Sequence, residues 1–371
     1  MKNVCFIVND FNFFYTHRFD LAKKLIKKHE FSVSVICSTS NANSNEIFDC
    51  SENLINIIHL PQRTESKGLL NYLRCLNKLI SKLNFDQLIF VTLELSFIAA
   101  IIGCFKKTPR MIFIISGLGH QFFLNNIKQL FLRKLEQFVF KGSIKKNSHN
   151  CFIFQNKDDQ RVFKDLGILE GYANYVIAGN GIDIHKYYYV KRELKKIVFC
   201  YAGRASKAKG THLLLEAFKL LKAEQHTKEI LLKLFILPSY KREEIYLKES
   251  EDILITYDLN QKDLIKALHE SNIFVMPSER EGLPKAALEA ASTGMPIIAS
   301  NRVGSKDILI EGLTGWIYEH PAIESLFNCM QSAIKDYKNL NEMGINSRNL
   351  VIEKFSLNRI AEQYSQLLLY K

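Results

Sequence analysis

Short apolar runs alternate with helix-length amphipathic stretches along the whole of this 371-residue chain, and that alternation limits the possible folds more than any single motif. Residues 4–8, 32–37, 88–91, 111–115 and 150–154 read as strands, with helices expected over 18–28, 69–83 and 127–140. The second half repeats the style, with strands over 196–201, 231–237, 253–256, 273–276 and 296–299 and helices over 211–222, 259–270, 284–293 and 323–337. Strand–helix alternation calls for parallel sheets covered by helices on both faces. Two such sets imply an α/β chain of two facing, doubly wound, Rossmann-like domains, with a deep interdomain cleft at the carboxyl ends of the strands. The polar, glycine-containing, highly charged stretch 178–196 is the expected connector. The boundaries that follow are 1–185 for the first domain and 186–355 for the second, with 356–371 a C-terminal helix packing back on the first.

Composition narrows the class. With 47% hydrophobic and 24% charged residues the chain has enough apolar content for cores, and 17 Gly with 7 Pro exclude collagen-like and linker-like chains. The eight cysteines are scattered without metal-like spacing, as in a reduced, cytoplasmic protein. Residues 88–105 are largely apolar, with Glu94 the only charge; the β-branched first part and alanine-containing second part favour a buried strand, a turn and a buried helix over a membrane span. The net charge is +12, and residues 1–190 hold 24 Lys and Arg against 15 Asp and Glu. Such an excess fits nucleic acid, an anionic membrane or a phosphate-rich ligand.

Two stretches carry chemistry. The first is residues 277–296, PSEREGLPKAALEAASTGMP. A strand runs into a loop holding Glu281 and Gly282, Leu283 leads to Pro284 in the first helical turn, and Glu289 follows inside the helix. Gly282 permits close backbone approach to a ligand, and the start of the helix offers N–H groups to an anion. Glu281 and Glu289 are spaced to grip two parts of one polar ligand. The second stretch is YAGRASKAKG, 201–210, at a strand-to-helix turn. Here Gly203 precedes Arg204 and Lys209, a fork and a point charge suited to a diphosphate. The P-loop pattern is absent.

Gly203-Arg204 with Lys209-Gly210, then Glu281-Gly282-Leu283-Pro284 and Glu289 with Gly294 and Pro296, resemble the retaining glycosyltransferases of family four, which have the GT-B architecture. The resemblance implies that Arg204 and Lys209 hold a donor diphosphate, that Glu289 binds the nucleotide ribose, and that Glu281 with the backbone at Gly282 and Leu283 faces the donor sugar. In the first half, Thr16-His17-Arg18, Ser116-Gly117-Leu118-Gly119 and Phe154–Asp159 are similar to bacterial enzymes of surface-polysaccharide assembly, above all N-acetylgalactosaminyltransferases acting on undecaprenyl-diphosphate-linked sugars. Residues 9–15 depart from the family, which often carries a glycine-rich loop there. His17, Glu94, Gly117, Gly119 and His120 are the candidates for the acceptor side.

The expectation is a metal-independent transferase without a cofactor, using a nucleotide-diphosphate sugar, UDP-linked by family preference, and a lipid-linked glycan acceptor. No D-x-D or His/Cys/Asp cluster suggests a metal. Retention could proceed by double displacement or by same-face attack; the sequence places no nucleophile for the former. Two basic amphipathic stretches, 17–31 and 127–146, suggest peripheral contact with the inner face of an anionic membrane. The other readings are a nucleotide-sugar epimerase of GT-B fold and a non-enzymatic basic protein binding nucleic acid or membrane. No nucleic-acid-binding signature is present.

Overall fold

A computed structural model describes residues 1–29, 31–62, 68–123, 127–224, 229–237 and 247–370. The chain divides into two compact units, Met1–Gly181 with Leu357–Lys371, and Ile182–Ser356.

Among its described residues, unit 1 is built on seven strands: β1 (Asn3–Asp10), β2 (Ser32–Ser38), β3 (Ile55–His59), β4 (Gln87–Val91), β5 (Arg110–Ile115), β6 (Cys151–Phe154) and β7 (Ala173–Val176). They form one parallel sheet in the order β3-β2-β1-β4-β5-β6-β7. Both faces of the sheet are covered, so successive residues of β1 enter opposite cores. Val4, Phe6 and Val8 join one cluster, and Cys5 and Ile7 join the other. This explains why the strands read as continuous apolar runs rather than as alternating patterns.

The apolar stretch 88–105 divides as its composition suggests, into β4 and the helix Leu93–Phe105. No helix among the described residues is long and apolar enough to cross a membrane. Residues 9–15, expected as a loop, instead finish β1 and enter the helix Phe11–His17. Asp10 caps it by accepting the Phe13 amide at 2.8 Å.

The last helix, Leu357–Leu369, belongs to unit 1. Ile360, Ala361, Tyr364 and Leu368 are buried in the cluster that holds Phe6 and Phe14. Three side chains from the sheet's amino end satisfy its final carbonyls: Gln87 Nε2 and Lys2 Nζ donate to Leu368 O at 2.6 and 2.8 Å, and Arg110 Nη1 donates to Leu367 O at 2.8 Å. Two of the three are cations at the negative end of the helix dipole.

Among its described residues, unit 2 has six strands: β8 (Ile197–Gly203), β9 (Ile230–Ile236), β10 (Ile253–Tyr257), β11 (Ile273–Met276), β12 (Ile297–Ser300) and β13 (Gly315–Tyr318). All are parallel, in the order β10-β9-β8-β11-β12-β13. Its chain enters through residues 182–196, which the sequence presents as a linker but which are fastened to the unit. Arg192, 6% exposed, donates from Nε to Ser271 O at 2.6 Å, from Nη1 to Thr293 O and Gly294 O, both at 2.8 Å, and from Nη2 to Thr293 Oγ1 at 2.7 Å. Burial lowers its pKa to about 10, which leaves it charged at neutral pH. Arg348 acts beside it, donating to Tyr187 O at 2.9 Å, Ile184 O at 3.1 Å and Ser292 O.

Two predictions follow from these buried charges. Arg192→Met leaves several buried carbonyls without donors, so urea unfolding should show unit 2 destabilised by on the order of 3 kcal/mol. In the helix Ile127–Lys146, burial raises the Glu136 carboxyl from 4.5 to about 7, against the opposing pull of Arg133. One of its oxygens is buried without a hydrogen-bond partner. The folded state therefore keeps this proton more tightly than the unfolded chain, and the stabilisation it gives is lost as pH rises from about 4.5 through 7. Glu136→Gln should melt higher than the parent at pH 8, and the difference should shrink at pH 5.

Candidate active site

In unit 2 the strand order reverses between β8 and β11, so the loops leaving their carboxyl ends diverge and open a crevice. Those loops are residues 204–210 and 277–284, the two stretches singled out by their sequence. Gly210, at φ +67°, makes their contact possible: a Cβ there would stand 2.1 Å from Pro277 O. A backbone bond from Glu279 N to Ala208 O at 3.0 Å ties the loops together. The outer strands brace the second loop. Ser300 Oγ at the end of β12 donates to Ser278 O at 2.6 Å, and Tyr318 Oη at the end of β13 donates to Pro277 O at 2.9 Å.

Glu281 is fixed through its backbone. Its amide donates to Val303 O at 3.0 Å, and Gly304, at φ +78°, packs so close that a Cβ would lie 2.3 Å from Glu281 O. Its carboxylate meets Lys209 across the crevice, Nζ to Oε1 at 2.6 Å. The two side chains are 23% and 12% exposed, so this pair is sheltered yet still within reach of a ligand. Arg204 is exposed on the first loop, and its carbonyl accepts from Tyr201 Oη at 2.8 Å. Burial pushes the Tyr201 hydroxyl far up, and the nearby Glu281 charge adds to the effect; Tyr201 is a neutral donor that shapes the turn after Gly203.

Gly282, Leu283 and Pro284 lead into the helix Lys285–Ser292, whose start has no side-chain cap. Glu289 is one turn further in, with 7% of its side chain exposed. Its Oε1 accepts from Tyr187 Oη at 2.6 Å and from Lys285 Nζ at 3.1 Å. Gln261 Nε2 donates in turn to Tyr187 Oη at 3.0 Å. Arg192 and Arg348 hold the carbonyls at the other end of this helix. Two carboxylates on a rigid frame, each met by a lysine, together with an exposed arginine, can hold a polar ligand that carries both hydroxyls and a multiply charged anion.

The structure joins Lys209 to Glu281, a contact the sequence did not specify. The support from Tyr187, Gln261, Arg192 and Arg348 also lay beyond sequence reasoning. Tyr187 and Arg192 fall in a stretch read as connector, and its run of three tyrosines, Tyr187 to Tyr189, was the one signal that it packs.

The residues of unit 1 are placed separately. Glu94 is exposed in the first turn of Leu93–Phe105, directly after β4. Gly117 and Gly119 lie in the loop after β5, and Gly119 borders open space. Both segments leave the carboxyl edge of the sheet. His17 is exposed in the last turn of Phe11–His17, stacked on Phe13 with 4.7 Å between ring centroids, its Nδ1 2.7 Å from Thr16 Oγ1. His120 opens the 3-10 helix His120–Phe123, and its side chain lies outside the described residues. Among the described residues, no group of three or more His, Cys, Asp or Glu side chains is placed to hold a metal ion.

Residues 189–350 match the family described as "Glycosyl transferases group 1". The chain is 27% identical over 205 residues to the capsular polysaccharide biosynthesis glycosyltransferase CapM of Staphylococcus aureus. That match covers 51% of this chain and 53% of CapM, about half the length of each. It is 22% identical over 370 residues to the UDP-Gal:alpha-D-GlcNAc-diphosphoundecaprenol alpha-1,3-galactosyltransferase of Escherichia coli, covering 93% of this chain and 90% of that one. Among solved structures, sucrose-phosphate synthase of Thermosynechococcus elongatus aligns with a TM-score of 0.78 at 16% identity, over 99% of this chain and 98% of the other. Residues 189–350, which hold the paired loops and the Glu289 helix, are a group 1 glycosyltransferase domain, and the chain that carries them has the GT-B fold.

Proposed function

We propose that this chain is a retaining glycosyltransferase of bacterial surface-polysaccharide or glycan synthesis. It moves a sugar, a HexNAc or a hexose, from a nucleotide-diphosphate donor to an undecaprenyl-diphosphate-linked glycan. The observation that carries the reading is the Lys209–Glu281 pair, held at the strand-order reversal of unit 2 with Glu289 fixed behind it. The activity for which the Escherichia coli relative is named, galactosyl transfer from UDP-Gal to a diphosphoundecaprenol-linked sugar, supports a UDP donor and a lipid-linked acceptor.

In this reading the donor diphosphate takes Lys209 from Glu281. Lys209 and Arg204, with the start of the helix Lys285–Ser292, stabilise the charge that grows on the leaving phosphate, commonly the largest catalytic effect. No metal is needed for that role. Glu281, freed from Lys209, and the backbone at Gly282 and Leu283 orient the sugar hydroxyls, and Pro284 starts the helix in the right direction. Glu289 binds the ribose through the carboxylate oxygen left open by Tyr187 and Lys285. The acceptor hydroxyl attacks the anomeric carbon on the face the phosphate leaves. One C–O bond forms, the C–O bond to phosphate breaks, and the proton passes to the departing phosphate oxygen. His17, Glu94, Gly117, Gly119 and His120 are assigned to the acceptor. The protein works in the cytoplasm, on the inner face of an anionic membrane.

Glu281→Ala and Lys209→Ala should each abolish most transfer while the chain stays folded, at a lower melting temperature because the remaining charge is left unpaired; near-parent turnover by both would overturn the assignment. A thermal-shift series should show UDP raising the melting temperature more than UMP, GDP or ADP, with the diphosphate increment lost in Lys209→Ala. Tyr187→Phe removes one donor from Glu289 and should raise KM for the nucleotide sugar about fivefold, with kcat little changed.

A further inference from the structure

The two basic helical stretches differ once their surroundings are known. In Phe19–His29, the residues Phe19, Leu21 and Leu25 are buried in the core of unit 1. Lys23 lies 4.5 Å above the Phe19 ring and pairs with Asp20 at 3.6 Å. The apolar side of that helix already packs against protein, which leaves a solvated basic face.

Ile127–Lys146 is different. Its inward side meets Leu93–Phe105: Phe140 is buried, Ser143 fits beside Gly103, and Cys104 Sγ donates to Val139 O at 3.1 Å. Its outward side carries Phe131, Leu135 and Phe138 at four- and three-residue spacing, with Leu130 alongside. Phe131 is 65% exposed and Phe138 77%. Phe105, the last residue of the neighbouring helix, is 79% exposed, and its carbonyl accepts from Lys146 Nζ at 3.1 Å. Isolated exposed apolar residues are ordinary, but large ones aligned on one helix face mark a contact surface.

The charges that the helix itself exposes on that face are of one sign. Lys134 is set among the aromatic residues, Lys145 and Lys146 follow them, and Lys107 follows Phe105; all four are exposed or at the edge of the patch. The helix holds a single carboxylate, Glu136, and one of its oxygens is buried. Phe131 and Phe138 are about 10 Å apart along the axis. A helix lying flat on a bilayer places such phenylalanines at the acyl boundary, while lysine stems extend their ammonium groups to the phosphates.

We propose that the outward face of Ile127–Lys146, with Phe105, is the surface by which this chain docks on an anionic phospholipid bilayer, and that Phe19–His29 takes no part. The charge complementarity selects the occupant: the patch offers apolar insertion and several cations, and the exposed carboxylate at its flank, Glu170, is already paired with Lys141 at 2.8 Å, which suits an anionic lipid surface. The inference rests on the proposal that the chain acts on a membrane-held acceptor.

The test is co-sedimentation of the full chain with vesicles of phosphatidylcholine alone or mixed with phosphatidylglycerol. The parent should bind the anionic vesicles and be released by salt. Phe131→Ser/Phe138→Ser and Lys134→Glu/Lys145→Glu should each lower partitioning by about tenfold, while Lys24→Glu/Lys27→Glu stays near the parent. Equal binding to both vesicle types, or undiminished binding by the double-serine variant, would overturn the proposal. So would a double-serine variant that only converts a dimer to a monomer in sedimentation, since the face would then join protein copies. The UDP-induced melting shift, a property of unit 2, is read on the same samples. Its loss would count against the transferase reading, and loss of vesicle binding by the parent against the docking face.

Discussion

The carbonyl of Pro277 stands where a side chain on Gly210 would begin, and the candidate site depends on that approach. With a larger residue at 210 the loops after β8 and β11 would have to separate, and Lys209 would no longer meet Glu281 at 2.6 Å. The contact is supported from both sides: Glu279 N binds Ala208 O between the loops, and Ser300 and Tyr318 hold the second loop from the outer strands. A position that constrains backbone, rather than one that carries charge, therefore sets the geometry of the charges.

A sheltered pair of this kind has a specific thermodynamic character. Removing one partner from a largely desolvated ion pair leaves the other uncompensated, which costs more than the pair itself contributes. Replacing one partner by a ligand of the same sign avoids that cost. In the proposed reaction the diphosphate replaces Glu281 opposite Lys209, so the lysine keeps an anionic partner, while Glu281 turns to neutral hydroxyls that hold it by hydrogen bonds. Glu289 is held differently. Tyr187 and Lys285 both donate to one oxygen, which fixes the carboxylate plane before any ligand arrives.

The parallel α/β architecture and the two loops were legible in the sequence because both come from local signals: apolar runs covered on two faces, and glycine and proline at strand-to-helix turns. The strands β3, β7 and β13 were not. Ile55–His59 and Ala173–Val176 contain polar residues and only partly buried positions, and Gly315–Tyr318 is four residues long. Residues 9–15 lacked the expected glycines because Asp10 caps a helix there, so no open loop forms. The fastening of residues 182–196 through Arg192 was hidden for a different reason: most of its acceptors are backbone carbonyls of residues far along the chain, which leave no trace in side-chain identity. The exposed phenylalanines of Ile127–Lys146 were visible as residues, but only packing shows which face of the helix they occupy.

The membership of Leu357–Leu369 in unit 1 also bears on the order in which the protein assembles. Unit 2 is one unbroken segment, so all of its strands have left the ribosome before the last helix is made. Unit 1 begins first but is completed last, because the side of its sheet holding Phe6, Phe14 and Leu25 waits for Ile360, Tyr364 and Leu368. During synthesis that face is covered by the early helices Phe11–His17 and Phe19–His29 but lacks the share that Leu357–Leu369 supplies until the end. Damage to Leu357–Leu369 should therefore act on unit 1, whose other elements are made before unit 2, and spare unit 2.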